Sequence, residues 1–135
     1  MENNNINFIE RYFHDTADSV LNIDSADNLI VKKIISDTKL MMKEVCKAGA
    51  ITYSQLRNVY QLMKEDGMTF KDIQLVRPKI AYVQARLEKK EGQKFLEMID
   101  DFIERIDPDE AKAAEQIKNL QAFMQSIVAY HKLNS

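Results

Sequence analysis

The stretch from Thr69 to Lys90, TFKDIQLVRPKIAYVQARLEKK, decides the fold. Ile73, Val76, Ile80, Val83 and Leu87 recur at steps of three and four, which puts them on one side of a helix and marks a buried seam. Beside that seam, Leu75, Lys79, Tyr82, Arg86 and Lys90 form a second stripe. A basic row with an aromatic in it can cradle a phosphate backbone. The same residues also suit a solvated flank whose lysine stems cover apolar neighbours. Pro78 lies inside the stretch. It has no N–H for the Gln74 carbonyl and its ring crowds that carbonyl, a cost of ~3 kcal/mol in a helix interior. Either the helix kinks there, or one helix ends near Arg77 and another begins with Pro78 at its first position. The apolar rhythm crosses the proline without a phase break, so the expectation is one central helix kinked at Pro78.

Composition agrees with a helical chain. In 135 residues there are only three Gly and two Pro, little material for tight turns. The length suits one domain with a real core, and the expected fold class is all-α: a compact bundle of about five helices. The expected division is an N-terminal extension over 1–24, a short helix plus linker, and a helical-bundle domain over 25–135. No long apolar run reaches the length of a membrane span, and MENNNINF lacks the layout of a signal peptide. Cys46 stands alone within a helical pattern, against disulfides and cysteine-ligated metal. The cytoplasm is the expected compartment, with no membrane partner.

The net charge of −2 argues against a free-standing, high-affinity nucleic-acid binder. Its distribution says more: residues 39–90 hold eleven Lys or Arg against five acids, and the remainder eight against sixteen. A basic middle between acidic ends suits one face for a polyanion and others for protein.

Helix boundaries are written locally. Residues 1–24 open with Asn3, Asn4 and Asn5, then show Ile6, Ile9 and Phe13 at helical spacing. A long helix is expected from about 25 to 47, ended by Gly49. Thr52 with Gln55 and Thr69 with Asp72 have capping-box spacing. Asp107 is the expected cap of the last helix, with Pro108 at its first position. Gly92 is expected to separate the central helix from the next, over about 93–106. Helix 52–66 buries Leu56, Val59 and Met63, and its flank reads Tyr53, Arg57, Tyr60, Lys64. The expectation is that this flank and the central-helix stripe share one exposed strip for a ribose-phosphate chain. The candidate RNA-binding residues are Tyr53, Arg57, Lys64, Lys79, Arg86 and Lys90 of the two stripes, together with Lys47 and Arg77, which lie outside them.

Catalytic constellations are missing. His14 and His131 lie at opposite ends of the chain without partners at metal-ligand spacing, and no Gly-rich phosphate loop or nucleophile elbow occurs. The acids at 97, 100, 101 and 104 suit a solvated helix face. No catalytic residue, metal or cofactor is expected, and the chain is not read as an enzyme.

Three segments together carry a resemblance: ITYSQLRNVYQLM, then DIQLVRPKIAYVQAR, then FMQSIVAYHK near the end. In order and spacing, over roughly residues 28–132, they resemble the small subunit of type III-A CRISPR effector complexes, the Csm family. The resemblance implies a non-catalytic helical-bundle protein. Several copies would stack beside the backbone filament that holds the CRISPR RNA, bridging the large subunit and the capping subunits and lining the groove where guide and target RNA pair. It also implies that Arg57, Arg77, Lys79 and Arg86 match the family's recurrent basic residues. Three rival readings fit the same residues. One is a helical protein–protein adaptor or regulator with no RNA role. Another is a DNA-binding regulator, because helices 52–66 and 69–90 adjoin through a short turn; the last is a nuclease built on the acidic helix.

Overall fold

The computed structural model describes residues 6–135; Asn3, Asn4 and Asn5 lie outside them. The order is α1 (Phe8–Phe13), α2 (Ala17–Leu21), a 3-10 turn (Ile23–Ser25), α3 (Asn28–Ala48), α4 (Tyr53–Met63), α5 (Phe70–Gln74), α6 (Arg77–Arg86), α7 (Lys90–Glu104) and α8 (Glu110–Leu133). Among the described residues there is no strand, and the protein is all-helical. The five longest helices pack in the order α3, α8, α4, α6, α7 and back to α3. Helix α1 packs on both α3 and α7, while α2 and α5 lie against α8.

The apolar seams meet as their periodicity requires. Ile34, Met41, Met42 and Val45 of α3, Leu56, Val59 and Met63 of α4, and Phe95, Ile99 and Phe102 of α7 are all buried. Phe13 packs edge-on against Phe102 and Phe123, with ring centres 6.1 and 5.5 Å away. Phe8, Phe13, Val20 and Leu21 are buried too, so the two N-terminal helices supply part of the same core. Burying a side chain of that size stabilises by roughly 1.5–3 kcal/mol.

Both capping boxes form. Thr52 Oγ1 accepts from Gln55 N at 3.1 Å while Gln55 Oε1 accepts from Thr52 N at 2.9 Å. Thr69 and Asp72 repeat the exchange at 3.1 and 3.0 Å. The last helix starts later than expected. Asp107 spends its Oδ1 on Asp109 N, 2.8 Å away, and Asp109 becomes the cap, accepting from Lys112 N at 3.2 Å. Pro108 therefore precedes α8 instead of opening it.

The central stretch is two helices. Helix α5 stops at Gln74, Leu75 and Val76 form a turn, and α6 begins at Arg77 with Pro78 in its first turn. Ahead of the proline the ladder tightens: Val76 N donates to Ile73 O, three residues back, at 3.1 Å. Leu75 and Val76 keep right-handed helical dihedrals. Ile73, Val76 and Ile80 consequently share one buried face, and the apolar rhythm carries no trace of the break. Helix α6 ends at Arg86 because Leu87 is extended (ψ 135°), so Lys90 opens α7 instead of closing the central helix. Gly92 is not a separator but lies in the first turn of α7. A Cβ there would sit 2.2 Å from the Ala50 carbonyl oxygen, so only glycine lets α7 approach the α3–α4 loop this closely.

Candidate nucleic-acid interface

The loop from Ala48 to Thr52 is where distant parts of the chain converge. Gly49 turns out of α3 in the left-handed region (φ 63°), a conformation open to glycine without steric cost. Lys89 Nζ donates to Ala48 O at 2.8 Å, and Gly92 abuts Ala50. His131, in the last turn of α8, meets Ile51 O through Nε2 at 2.8 Å; a carbonyl only accepts, so Nε2 carries the proton. The first residue of α4, Tyr53, lies beside His131 with ring centres 5.8 Å apart and planes tilted by 46°.

These contacts gather cations at one end of the bundle. Arg57 and Lys132 both lie over the Tyr53 ring, 5.8 and 5.0 Å from its centre, within cation–π range. Lys47 is in the last turn of α3, and Lys90 opens α7 beside the same loop. Antiparallel packing of α6 on α7, tied by Gln84 Nε2 to Gln93 O at 3.0 Å, brings Arg86 to this end as well. The Arg86 guanidinium lies 5.7 Å from the centre of the Tyr82 ring. Among the described residues, Lys47, Arg57, Arg86, Lys90 and Lys132 are exposed and make no ion pair. Of the acids nearby, Glu91 is held by Arg11 at 3.3 Å, Glu44 accepts from the Tyr12 hydroxyl, and Glu88 is exposed in the link between α6 and α7.

The opposite end is acidic. Asp24, Asp107 and Glu115 surround one shallow hollow with Lys112, and Asp109 and Glu110 open α8 nearby. An Asn119 amide hydrogen bond is the main cause holding the Asp24 carboxyl below its usual range. On α7, burial pushes Asp101 up first, and the neighbouring Glu97 and Asp100 charges push the same way.

The fold divides the candidate residues and does not build a single strip. Lys47, Tyr53, Arg57, Arg86 and Lys90 come together at the basic end. Lys64 caps the other end of α4, and Lys79 lies along the groove between α4 and α6. Arg77 is engaged: Nε and Nη2 reach the two Asp100 oxygens at 2.8 and 3.2 Å, and Nη1 reaches Gln74 Oε1 at 3.1 Å. The Asp100 hydrogen bonds hold its proton more firmly than usual, and the side chain ties α6 to α7. The shared strip fails for a reason of phase. Asn58 and Leu62 are the α4 residues that face Lys79 and Tyr82. Leu62 is nine residues from Tyr53, which at about 100° per residue is half a turn. Tyr53 accordingly faces the end of α8, while the other flank of α4 faces α6. Lys89 and Lys132 complete the basic end and were absent from the sequence-based set. Their partners, Ala48 and Tyr53, are remote in the chain, and no local pattern links them.

Among the described residues, no group of three or more His, Cys, Asp or Glu could hold a metal ion, and no helix is long and apolar enough to cross a membrane. A family model described as Csm2 Type III-A matches residues 28–135, from the first residue of α3 to Ser135. No curated protein and no solved structure matches the chain. The match spans most of the chain and covers α3 to α8, so the protein belongs to the type III-A Csm2 family, the small subunits of CRISPR Csm complexes.

Proposed function

We propose that this chain is a non-catalytic subunit that lies in several copies along the guide–target RNA groove of a type III-A complex and touches the RNA backbone without reading its sequence. The observation that carries the reading is the convergence of Lys47, Arg57, Lys90 and Lys132, with Tyr53, on the Ala48–Thr52 loop. A guide–target duplex is A-form, and its sequence is read by base pairing, so a sequence-indifferent partner needs phosphate and 2′-hydroxyl contacts. A few unpaired cations per copy suffice when copies repeat, because each later contact forms at high effective concentration. The acidic end then points away from the RNA, which reconciles the role with a net charge of −2. The basic end of each copy faces the duplex, and its sides face neighbouring copies and the backbone, large and capping subunits. The cytoplasm is the compartment this role implies.

The test is the triple variant Lys47→Glu, Arg57→Glu, Lys90→Glu assembled into the complex. All three side chains are exposed, so the melting temperature of the isolated chain should stay within a few degrees of wild type. Target-RNA capture at moderate salt should fall by about tenfold or more. Reversal of Lys112 and Lys118, toward the acidic end, should leave capture unchanged. Normal capture by the triple variant in an intact complex would leave a protein-only adaptor as the better reading.

A further inference from the structure

We infer that neighbouring copies join by laying the outer face of α3 of one copy into the groove between α4 and α6 of the next. The inference rests on the proposed side-by-side repetition and names the surfaces that would produce it.

Helix α3 buries Ile34, Thr38, Met41, Met42 and Val45, and no described residue covers Leu29 or Leu40 on the opposite face to the extent of burying it. There Leu29 is 78% and Leu40 48% exposed. They are eleven residues apart, three turns or about 16 Å along one face. Lys32, Lys39 and Lys43 stand around them, exposed and making no ion pair among the described residues. Across the molecule, a hollow of about 400 Å³ between α4 and α6 adjoins one of about 450 Å³ that continues between α4 and α5, the two sharing Leu62 and Lys79. Leu75 and Tyr82 on their rim are 59% and 66% exposed.

The packing order places these features on opposite sides. In the ring α3, α8, α4, α6, α7, the junction of α4 and α6 lies across from α3. A projecting face and a groove on opposite sides of one chain form a heterologous contact, which adds copies in one direction without closing at two. Charge complementarity favours another copy over RNA as the occupant: the second hollow carries Glu65 and Asp72, which suit the α3 lysines and repel phosphate. The Thr69 amide, donating to the Asp72 carboxyl, holds it below its usual range and keeps it ionised. Lys79 lines both hollows together with Leu62, and a lysine there can lay its stem on apolar surface while its ammonium reaches solvent. Both surfaces run along the sides of the bundle between its two ends, so growth by this contact sets copies side by side with their basic ends in a row.

The experiment uses the assembled complex with Cys46→Ala as background and a tagged small subunit. The double variant Leu40→Cys, Leu75→Cys, treated with a short bismaleimide, should give a ladder of small-subunit bands at multiples of 15.7 kDa. Each single variant should give none beyond the monomer. An absent ladder from the double variant, or dimers alone appearing equally with either single variant, would overturn the contact. RNA capture measured on the same preparations separates the two claims. A missing ladder with capture still sensitive to the basic-end variant removes only this interface. A ladder with capture insensitive to that variant removes only the RNA reading.

Discussion

Tyr12 shows how much a single residue here depends on its surroundings. Its ring is buried against Phe8 at 5.3 Å, and its hydroxyl donates to Glu44. Burial is the main cause, and the Glu44 hydrogen bond the next, that push the phenol up to about 12 from an ordinary 10.0. The folded chain therefore holds this proton more tightly than the unfolded chain. The resulting stability is fully present below about pH 10 and is lost as pH rises through about 12. Urea unfolding of wild type and Tyr12→Phe between pH 8 and 12 should show the difference in midpoint changing only in the upper half of that range. A constant difference would mean that the phenol does not titrate with folding. At the same scale, Tyr53, Arg57, Arg86, Lys47 and Lys90 were five of the eight residues that the sequence offered as candidates. It could not mark Arg77 as engaged, because Asp100 is a partner supplied by another helix.

At the scale of elements, helix starts at Thr52 and Thr69 were legible because a cap and its partner sit three residues apart. Apolar seams were legible for a similar reason: the repeat is local. The break at Leu75–Val76 was not, since the chain turns there with helical dihedrals and the seam stays in phase. Gly92 was misread as a stop because glycine's commonest local meaning is a helix end, and its actual partner, Ala50, lies in another loop. Gly92→Ala tests that reading. Helix propensity alone would gain about 1 kcal/mol. The Cβ, 2.2 Å from the Ala50 oxygen, instead forces α7 away from the α3–α4 loop, and overpacking of this kind costs about 1–3 kcal/mol. Thermal melting should therefore fall by several degrees; an unchanged or raised midpoint would show that the loop yields without cost.

For the whole molecule, what matters is the separation of charge along the bundle. Electrostatic contact with RNA releases counterions, so each lost phosphate contact lowers the slope of log affinity against log salt by roughly 0.7–0.9. The Lys47, Arg57, Lys90 reversal should flatten that slope for target capture by about 2 per copy engaged. Isolated protein should show weak binding and a shallow slope, because it lacks the row of copies that supplies effective concentration. A steep slope for the isolated chain would place the affinity in one molecule and contradict the repeated-contact reading. Equal slopes for wild-type and variant complexes would show that these cations face something other than phosphate.

By itself the sequence determined the helical class, the seams, two of the capped starts, the lack of catalytic motifs and the kinship with the Csm small subunits. All of these depend on residues within a few positions of one another, or on patterns that survive in linear order. Tertiary structure alone decided which cations share a surface. Two helices can each carry a basic stripe and still turn those stripes apart, because the flank of α4 that meets α6 and the flank that meets α8 are chosen by packing across the core. That choice placed Tyr53 beside Lys132, gave Arg77 to Asp100, and turned a charge imbalance along the chain into a basic end and an acidic end.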